Sequence, residues 1–231
     1  MKTLRTLITL LLIAATTLTA SAKDPEVTKA QQYPGMYEEK PVTIAVMPPI
    51  NRTTHAEAKE YFYTTLYRPL CEKGYYVFSP ALTMEVFQQE SAYDAELFLE
   101  GSLQVFNDAI GADAVMFTII KSWKRNNVFG TIRADVEYIL RSTKTGKTLY
   151  SREGDVKLDL SVNDSSRKGL GGMLANMLET AINTASTDKI EAGRKCSEFV
   201  LEDLPAGKYS SKFGVDGDTA AGSKVVSATV K

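Results

Sequence analysis

Histidine is almost absent from this 231-residue chain, since His55 is the only one. Any acid–base or triad chemistry that needs an imidazole would therefore depend on that single residue. His55 falls in the first turn of a predicted helix, where side chains usually face solvent, and no nucleophile or orienting acid is evident beside it. We interpret it as a surface residue, so histidine-dependent catalysis has no support.

Cysteine is also scarce, because only Cys71 and Cys196 are present. Neither has a histidine or a second cysteine at the spacing of zinc ligands, which argues against a metal site. In an exported protein the pair can form a disulfide, and the alternative is two buried free thiols. Both alternatives stay open, since the sequence does not show how far apart the two residues lie.

No apolar run in the chain reaches the roughly 20 residues needed to span a bilayer. The N-terminus carries Lys2 and Arg5 ahead of a short apolar stretch, followed by small residues that end in Ala20-Ser21-Ala22. This pattern predicts a secretory signal peptide over residues 1–22, cleaved between Ala22 and Lys23. We expect a mature protein in the periplasm or cell envelope, without a transmembrane segment.

Signals for nucleic acid and nucleotide binding are missing too. The 27 lysine and arginine residues are balanced by 28 acidic residues, so no basic surface for nucleic acid is expected. Gly146-Lys147-Thr148 lacks the earlier glycine of a phosphate-binding loop, and we interpret it as a hairpin turn. The glycines at 169–172 do not follow a parallel strand, as a dinucleotide fingerprint requires. We expect no cofactor.

The carboxylates form no recognisable catalytic pair. Asp94, Glu96, Asp113, Asp155 and Asp159 are scattered over helix ends and one exposed strand face. Asp113 lies between a helix and a buried strand, where a carboxylate can accept hydrogen bonds from neighbouring N–H groups. We therefore assign no catalytic residue from the sequence.

Secondary structure is indicated clearly by the apolar pattern. Continuous apolar stretches typical of strands covered on both faces occupy residues 42–47, 75–78 and 114–120. A capping box at 54–57 predicts the start of a helix that Pro69 kinks or shortens before about Lys73. Further helices are predicted over 80–89 and 103–110. This alternation implies parallel strands with helices on both faces of the sheet.

The pattern changes after residue 130. Residues 131–141 and 149–160 alternate between apolar and polar side chains, with a turn at 144–146. We therefore predict an α/β fold, a three-layer sandwich in which a mixed sheet has parallel N-terminal strands and an antiparallel C-terminal hairpin. A last helix is predicted over 166–192.

The length suits one domain with flanking segments. The four predicted parts are a signal peptide (1–22), a polar leader (23–40), a single α/β domain (41–200) and a C-terminal tail (201–231). The leader has no apolar period, and we expect it to lie on the surface or to be disordered. The tail is rich in small and polar residues, and we expect it to be flexible.

Two features are candidates for contact with a partner. The loop after the first strand contains Pro48, Pro49, Asn51 and Arg52, and its prolines lack the N–H groups that a phosphate cradle needs. We expect this loop to be exposed and to contact protein. The second is an aromatic group, which is either an interface or the face of a helix that covers the sheet; its members are Tyr61, Phe62, Tyr63, Tyr67, Tyr75 and Tyr76.

The strings PVTIAVMPPINRT, YRPLCEKGYYVFSPALTMEVFQQ and IGADAVMFTIIKSW resemble a family of bacterial envelope lipoproteins of unknown function, typified by a Neisseria surface lipoprotein antigen. The likeness continues through YILRSTKTGKTLYSREG and covers about 120 residues. That family is similar in fold to the N-terminal domain of TolB and to the periplasmic domain of the secretion channel CsgG. Its members usually carry a lipobox cysteine at the cleavage site, whereas this chain has Lys23, which puts a lipid anchor in doubt.

The resemblance implies a non-enzymatic domain that works in envelope assemblies, with a CsgG-like outer-membrane protein as the candidate partner. Our main hypothesis is therefore a secreted binding or assembly protein, with a homo-oligomer as an open alternative. Two other functions stay open: an envelope hydrolase that uses carboxylates, and a periplasmic protein that binds a small ligand or glycan.

Overall fold

Residues 26–89, 95–126, 131–159 and 189–230 are described by the structure, which is a computed structural model. The predicted signal peptide, its cleavage site at Ala22 and Lys23, Asp94, the glycines at 169–172 and most of the predicted helix over 166–192 lie outside these residues. None of the helices within the described ranges is long and apolar enough to cross a membrane.

The described strands form one mixed sheet: β1 (Thr43–Val46), β2 (Ile50–Asn51), β3 (Tyr76–Val77), β4 (Ala114–Asn126), β5 (Thr131–Ser142), β6 (Thr148–Asp159) and β7 (Val225–Val230). Their order across the sheet is β3-β1-β4-β5-β6-β7, and β2 also pairs with β4. β1 runs parallel to β3 and β4, whereas β4, β5 and β6 are antiparallel neighbours. The predicted mixed α/β fold is confirmed.

The helices in chain order are α1 (Lys29–Gln32), α2 (Pro34–Glu39), α3 (Ala58–Thr65), α4 (Tyr67–Glu72), α5 (Pro80–Gln89), α6 (Ala95–Leu99), α7 (Gln104–Ile110) and α8 (residues 189–200). A 3₁₀ helix, Leu201–Asp203, follows α8. Gly111 ends α7 in the left-handed conformation, with φ of 71°, which a glycine adopts without strain.

Two hydrophobic cores lie on opposite faces of the sheet, because successive side chains of a strand point to opposite sides. Ile44 and Val46 of β1 belong to the larger core, which also contains Phe62 of α3. Ala45 and Met47 belong to the smaller core, which contains Phe106 of α7. The sheet is therefore covered by helices on both faces over its parallel strands, as the continuous apolar stretches predict.

The start of the helical region after β2 differs from the prediction. Glu57 is the N-cap residue of α3, and no side chain caps that helix, so the predicted capping box at 54–57 does not form. The predicted single helix is divided at Leu66 into α3 and α4. Pro69 falls in the first turn of α4, where its missing N–H group costs no intrahelical hydrogen bond.

The predicted leader over 23–40 is also corrected, because its described part is packed against the domain. Thr28 and Gln31 form a capping box at the start of α1. Tyr33 and Met36 are buried in the larger core, and the Tyr33 ring stacks on Tyr150 with ring centroids 4.9 Å apart. Two side chains with large apolar area are enough to hold this otherwise polar segment in place.

The predicted flexible tail over 201–231 is corrected in the same way. Leu201 and Leu204 are buried, and β7 pairs in parallel with β6. The start of the leader joins this segment through an antiparallel bridge between Thr28 and Ala220. The chain segments on either side of the domain therefore stabilise each other, which a composition rich in small polar residues did not indicate.

Both cysteines are free in the structure. Cys196 is fully buried in the larger core, and Cys71 packs against that core. Burial raises the pKa of the Cys196 thiol far above its usual value, so that thiol stays protonated. Of the two alternatives that the sequence leaves open, the structure contains the free thiols.

Candidate functional site

The predicted interaction loop is not an exposed loop along most of its length. Pro48 and Pro49 are buried, and Ile50 and Asn51 form β2, which pairs in parallel with β4. The N–H group of Arg52 extends this pairing by donating to the carbonyl of Ile120 at 3.0 Å. The prolines therefore form a buried link between β1 and β2 instead of an exposed contact surface, and β2 can pair because β4 extends beyond the end of β1.

Asn51 organises the turn that follows. Its side-chain oxygen accepts hydrogen bonds from the N–H group and the hydroxyl of Thr53, at 3.0 and 2.8 Å, and its amide donates to the carbonyl of His55 at 2.8 Å. This is an Asx-type turn, in which the side chain replaces a backbone partner. Asn51 therefore has a structural role, whereas Arg52 and His55 are exposed.

Asp113 has the structural role that the sequence predicts. Its carboxylate accepts hydrogen bonds from the N–H groups of Val42 and Thr43, at 3.0 and 3.2 Å, and forms an ion pair with Lys144 at 3.0 Å. Burial alone would raise the pKa of Asp113, but these hydrogen bonds outweigh burial and lower it. Asp113 therefore links the start of β1 to the start of β4 through these hydrogen bonds.

Two pairs of acidic side chains lie directly opposite each other on the face of β5 and β6 that points away from the larger core. Asp135 is opposite Asp155, and Glu137 is opposite Glu153. Like charges in such positions destabilise a sheet. Lys121 relieves the second pair, because its ammonium lies 3.0 Å from Glu137 and 2.5 Å from Glu153.

In the first pair, Asp135 and Asp155, an arginine binds only one of the two carboxylates. The guanidinium of Arg133 donates two hydrogen bonds to Asp155 and lowers the pKa of that carboxyl. The pKa of Asp135 is raised, chiefly by burial and then by the nearby charge of Glu153. Two cations, Lys121 and Arg133, face four carboxylates, so we interpret this cluster as a partly neutralised strand face that keeps a net negative charge. No group of acids, histidines or cysteines within the described ranges has the arrangement of a metal site.

The predicted aromatic group divides into a buried set and an exposed set. Phe62 and Tyr75 are buried in the larger core, and Tyr61 lies against Trp123 with ring centroids 6.0 Å apart. Tyr67 and Tyr76 are 43% and 52% exposed. The buried members of the group therefore belong to the packing between helix and sheet, whereas Tyr67 and Tyr76 are accessible at the surface.

Of the exposed set, Tyr76 lies on β3, at the edge of the described sheet. The N–H group of Tyr76 donates to the carbonyl of Val42, and that of Phe78 donates to the carbonyl of Ile44, both at 3.0 Å. Because the two residues are two positions apart on extended backbone, their side chains lie on the same face of the sheet. The two rings meet edge to face with centroids 5.2 Å apart. The backbone of both residues is therefore held by β1, and the two rings contact each other.

Tyr67 extends this surface from α4. That helix lies beside β3, and Tyr67 is 43% exposed on it. A hydrogen bond with Cys71 raises the pKa of Tyr67. We call Tyr67, Tyr76 and Phe78 the aromatic edge surface. Tyrosine is enriched at protein interfaces because it combines large apolar area with a polar tip and few rotatable bonds.

Comparisons with known proteins identify the family of this chain. The family model described as "Putative lipoprotein GNA1162-like" matches residues 31–205, so the chain belongs to the GNA1162-like family. The resemblance seen in the sequence is therefore confirmed.

Three individual proteins are similar to this chain. The "Putative lipoprotein NMB1124/NMB1162" of Neisseria meningitidis serogroup B is 26% identical over 199 residues, covering 84% of this chain and 89% of that protein. The crystal structure of lipoprotein GNA1162 from Neisseria meningitidis has a TM-score of 0.46 at 24% identity, covering 63% of this chain and 100% of that one. A PelC dodecamer structure from Paraburkholderia phytofirmans has a TM-score of 0.40 at 15% identity, covering 72% and 89%.

Proposed function

We propose that this chain is a non-enzymatic, secreted protein of the bacterial cell envelope that binds a protein partner through the aromatic edge surface. The observation that carries the proposal is the exposure of Tyr67 on α4 and of Tyr76 on β3, where the Tyr76 ring contacts the ring of Phe78. Membership of a lipoprotein family and the N-terminal signal-peptide pattern support the envelope location.

The affinity that we expect of this surface comes from its aromatic side chains. Aromatic side chains at the centre of an interface often cost 2 kcal/mol or more when truncated, which is roughly a thirtyfold loss of affinity. Little ordering entropy is lost when a partner binds Tyr76, because its backbone is already paired with β1 and its ring already rests on Phe78. The edge position of β3 also leaves room for the partner to approach.

The identity of the partner follows only from the family resemblance. We propose a CsgG-like outer-membrane protein in the periplasmic space, with a second copy of this chain as the alternative partner. Since Lys23 stands where a lipobox cysteine would be, we propose a mature chain that is held in the envelope by this partner and not by lipid.

Partner capture from chemically crosslinked intact cells tests the proposal. Tyr67→Ser and Tyr76→Ser together should lower the recovery of the partner at least tenfold, because the contact area is lost while the fold is unaffected. Val225→Ser is the matched control, since Val225 is 63% exposed at the opposite edge of the sheet. Equal recovery with all three proteins would contradict the proposal.

The envelope hydrolase is supported by one observation, the opposite pKa shifts of Asp135 and Asp155, which face each other across β5 and β6. It predicts that the wild-type protein cleaves purified cell-wall material and that Asp135→Asn does not. A wild-type protein without such activity would remove this alternative.

A further inference from the structure

The strand β7 lies at the end of the described sheet that is opposite to β3. It pairs in parallel with β6, and the described residues place no strand on its other side. Its sequence, VVSATV, is rich in β-branched residues and contains no proline and no charged residue. Natural sheets usually protect an exposed edge with prolines, charged side chains or bulges, because an open edge can pair with another strand. Within the described part of the chain, β7 is therefore an unprotected edge.

One printed register and one hydrogen bond show which backbone groups of β7 face this open edge. The N–H group of Glu153 donates to the carbonyl of Lys224 at 2.8 Å, so that carbonyl points to β6. Along a strand, successive residues direct their N–H and C=O groups to opposite sides. The N–H and C=O groups of Val225, Ser227 and Thr229 therefore point away from β6 and towards the open edge.

The surroundings of Val225 agree with this direction. The hydroxyl of Ser223 donates to the Val225 carbonyl at 2.7 Å and accepts the Val225 N–H group at 3.3 Å. A local side chain thus occupies the place that a neighbouring strand would take. An added strand can displace the Ser223 hydroxyl, because that side chain is exposed and free to turn towards water.

The side chains of β7 suit a second copy of the same strand. Ala228 is paired with Val156, which belongs to the larger core, so the even-numbered residues of β7 face that core. Val225, Ser227 and Thr229 lie on the other face of the sheet and are exposed. All three are uncharged, so two copies of β7 can lie side by side without bringing like charges directly opposite each other.

We infer that β7 pairs with β7 of a second copy of this chain, in antiparallel orientation about a twofold axis at Ser227. In this register Ser227 lies opposite its own counterpart, and Val225 lies opposite Thr229 in both directions. These positions direct their N–H and C=O groups to the junction, so backbone donors meet acceptors while exposed side chains stay on one face. The twofold axis closes the assembly at two copies. The inference is independent of the partner that the aromatic edge surface binds, because β3 lies at the other end of the described sheet.

Sedimentation velocity of the mature protein over a range of concentrations tests the association. The wild type should change from one copy to two as its concentration rises, and a wild type that stays monomeric at every concentration would overturn the inference. Amide hydrogen exchange tests the register. Exchange at Ser227 and Thr229 should slow as the dimer forms, because both N–H groups point to the junction. A dimer in which these two amides exchange as fast as in the monomer would also overturn the inference.

Charged variants at the centre of the register test the twofold axis. Ser227→Lys and Ser227→Glu should each raise the dissociation constant of the dimer at least tenfold, because two like charges then lie directly opposite each other. An equimolar mixture of the two variants should associate again, with a dissociation constant within about threefold of the wild-type value. Ser211→Lys is the matched control, since Ser211 is an exposed serine outside β7. A mixture that does not associate, or an equal loss with Ser211→Lys, would overturn the inference.

Discussion

The contact between Tyr33 and Asp203 joins the N-terminal segment to the 3₁₀ helix after α8 and can be tested by a double-mutant cycle. The Tyr33 hydroxyl donates to Asp203 at 2.7 Å, and the two residues are 2% and 6% exposed. Burial, reinforced by Asp203, raises the pKa of Tyr33, so the phenol keeps the proton that it donates at neutral pH. The cycle compares the wild type with Tyr33→Phe, Asp203→Ala and the double variant.

The expected coupling free energy is about 2 kcal/mol, because a buried hydrogen bond to a charged acceptor contributes roughly 1.5–3 kcal/mol. Urea unfolding measures it as a shift of the midpoint with an unchanged slope. Tyr209→Phe is the control, since Tyr209 is 68% exposed and this substitution should change stability by less than about 0.5 kcal/mol. A coupling near zero would refute the docking of the N-terminal segment on residues 201–222.

Three further predictions concern single sites. Asp113→Asn should lower the free energy of unfolding by about 1–3 kcal/mol at pH 7. Because folding lowers the pKa of Asp113, this difference is complete above the unfolded-state pKa of about 4 and is lost as the pH falls through the folded-state pKa. Urea unfolding at a series of pH values from about 2 to 7 measures this loss. Gly154→Ala should cost about 1–3 kcal/mol in urea unfolding, since its new methyl group would overlap the side chain of Val200. Asn51→Ala should lower stability by about 1–2 kcal/mol and Arg52→Ala by less than about 0.5 kcal/mol in thermal unfolding; equal effects would contradict the structural role of Asn51.

The sheet was predictable because its signals are local. The continuous apolar stretch before Pro48 and the alternation in β5 each reflect the environment of a single strand, and both predictions agree with the structure. The packing of the leader and tail was not predictable. Tyr33 and Asp203 are 170 residues apart, and no periodicity in either segment indicates that they meet.

The candidate sites were also only partly predictable, because they depend on contacts between distant segments. The aromatic group was recognised in the sequence, but the exposure of Tyr76 and the burial of Tyr75 depend on β3 lying at the edge of the sheet, which is known only from the strand order. The loop at Pro48 was misjudged because β4 extends beyond β1 and pairs with β2.

The most direct measurement of the central claim is site-specific photocrosslinking in intact cells. A photoreactive residue replaces Tyr76 in one protein and Val225, at the opposite edge of the sheet, in another. The account predicts that position 76 crosslinks to a single envelope protein in high yield and that position 225 gives at least tenfold less of the same product. Equal yields from both positions, or the product from position 225 alone, would contradict partner binding at the aromatic edge surface.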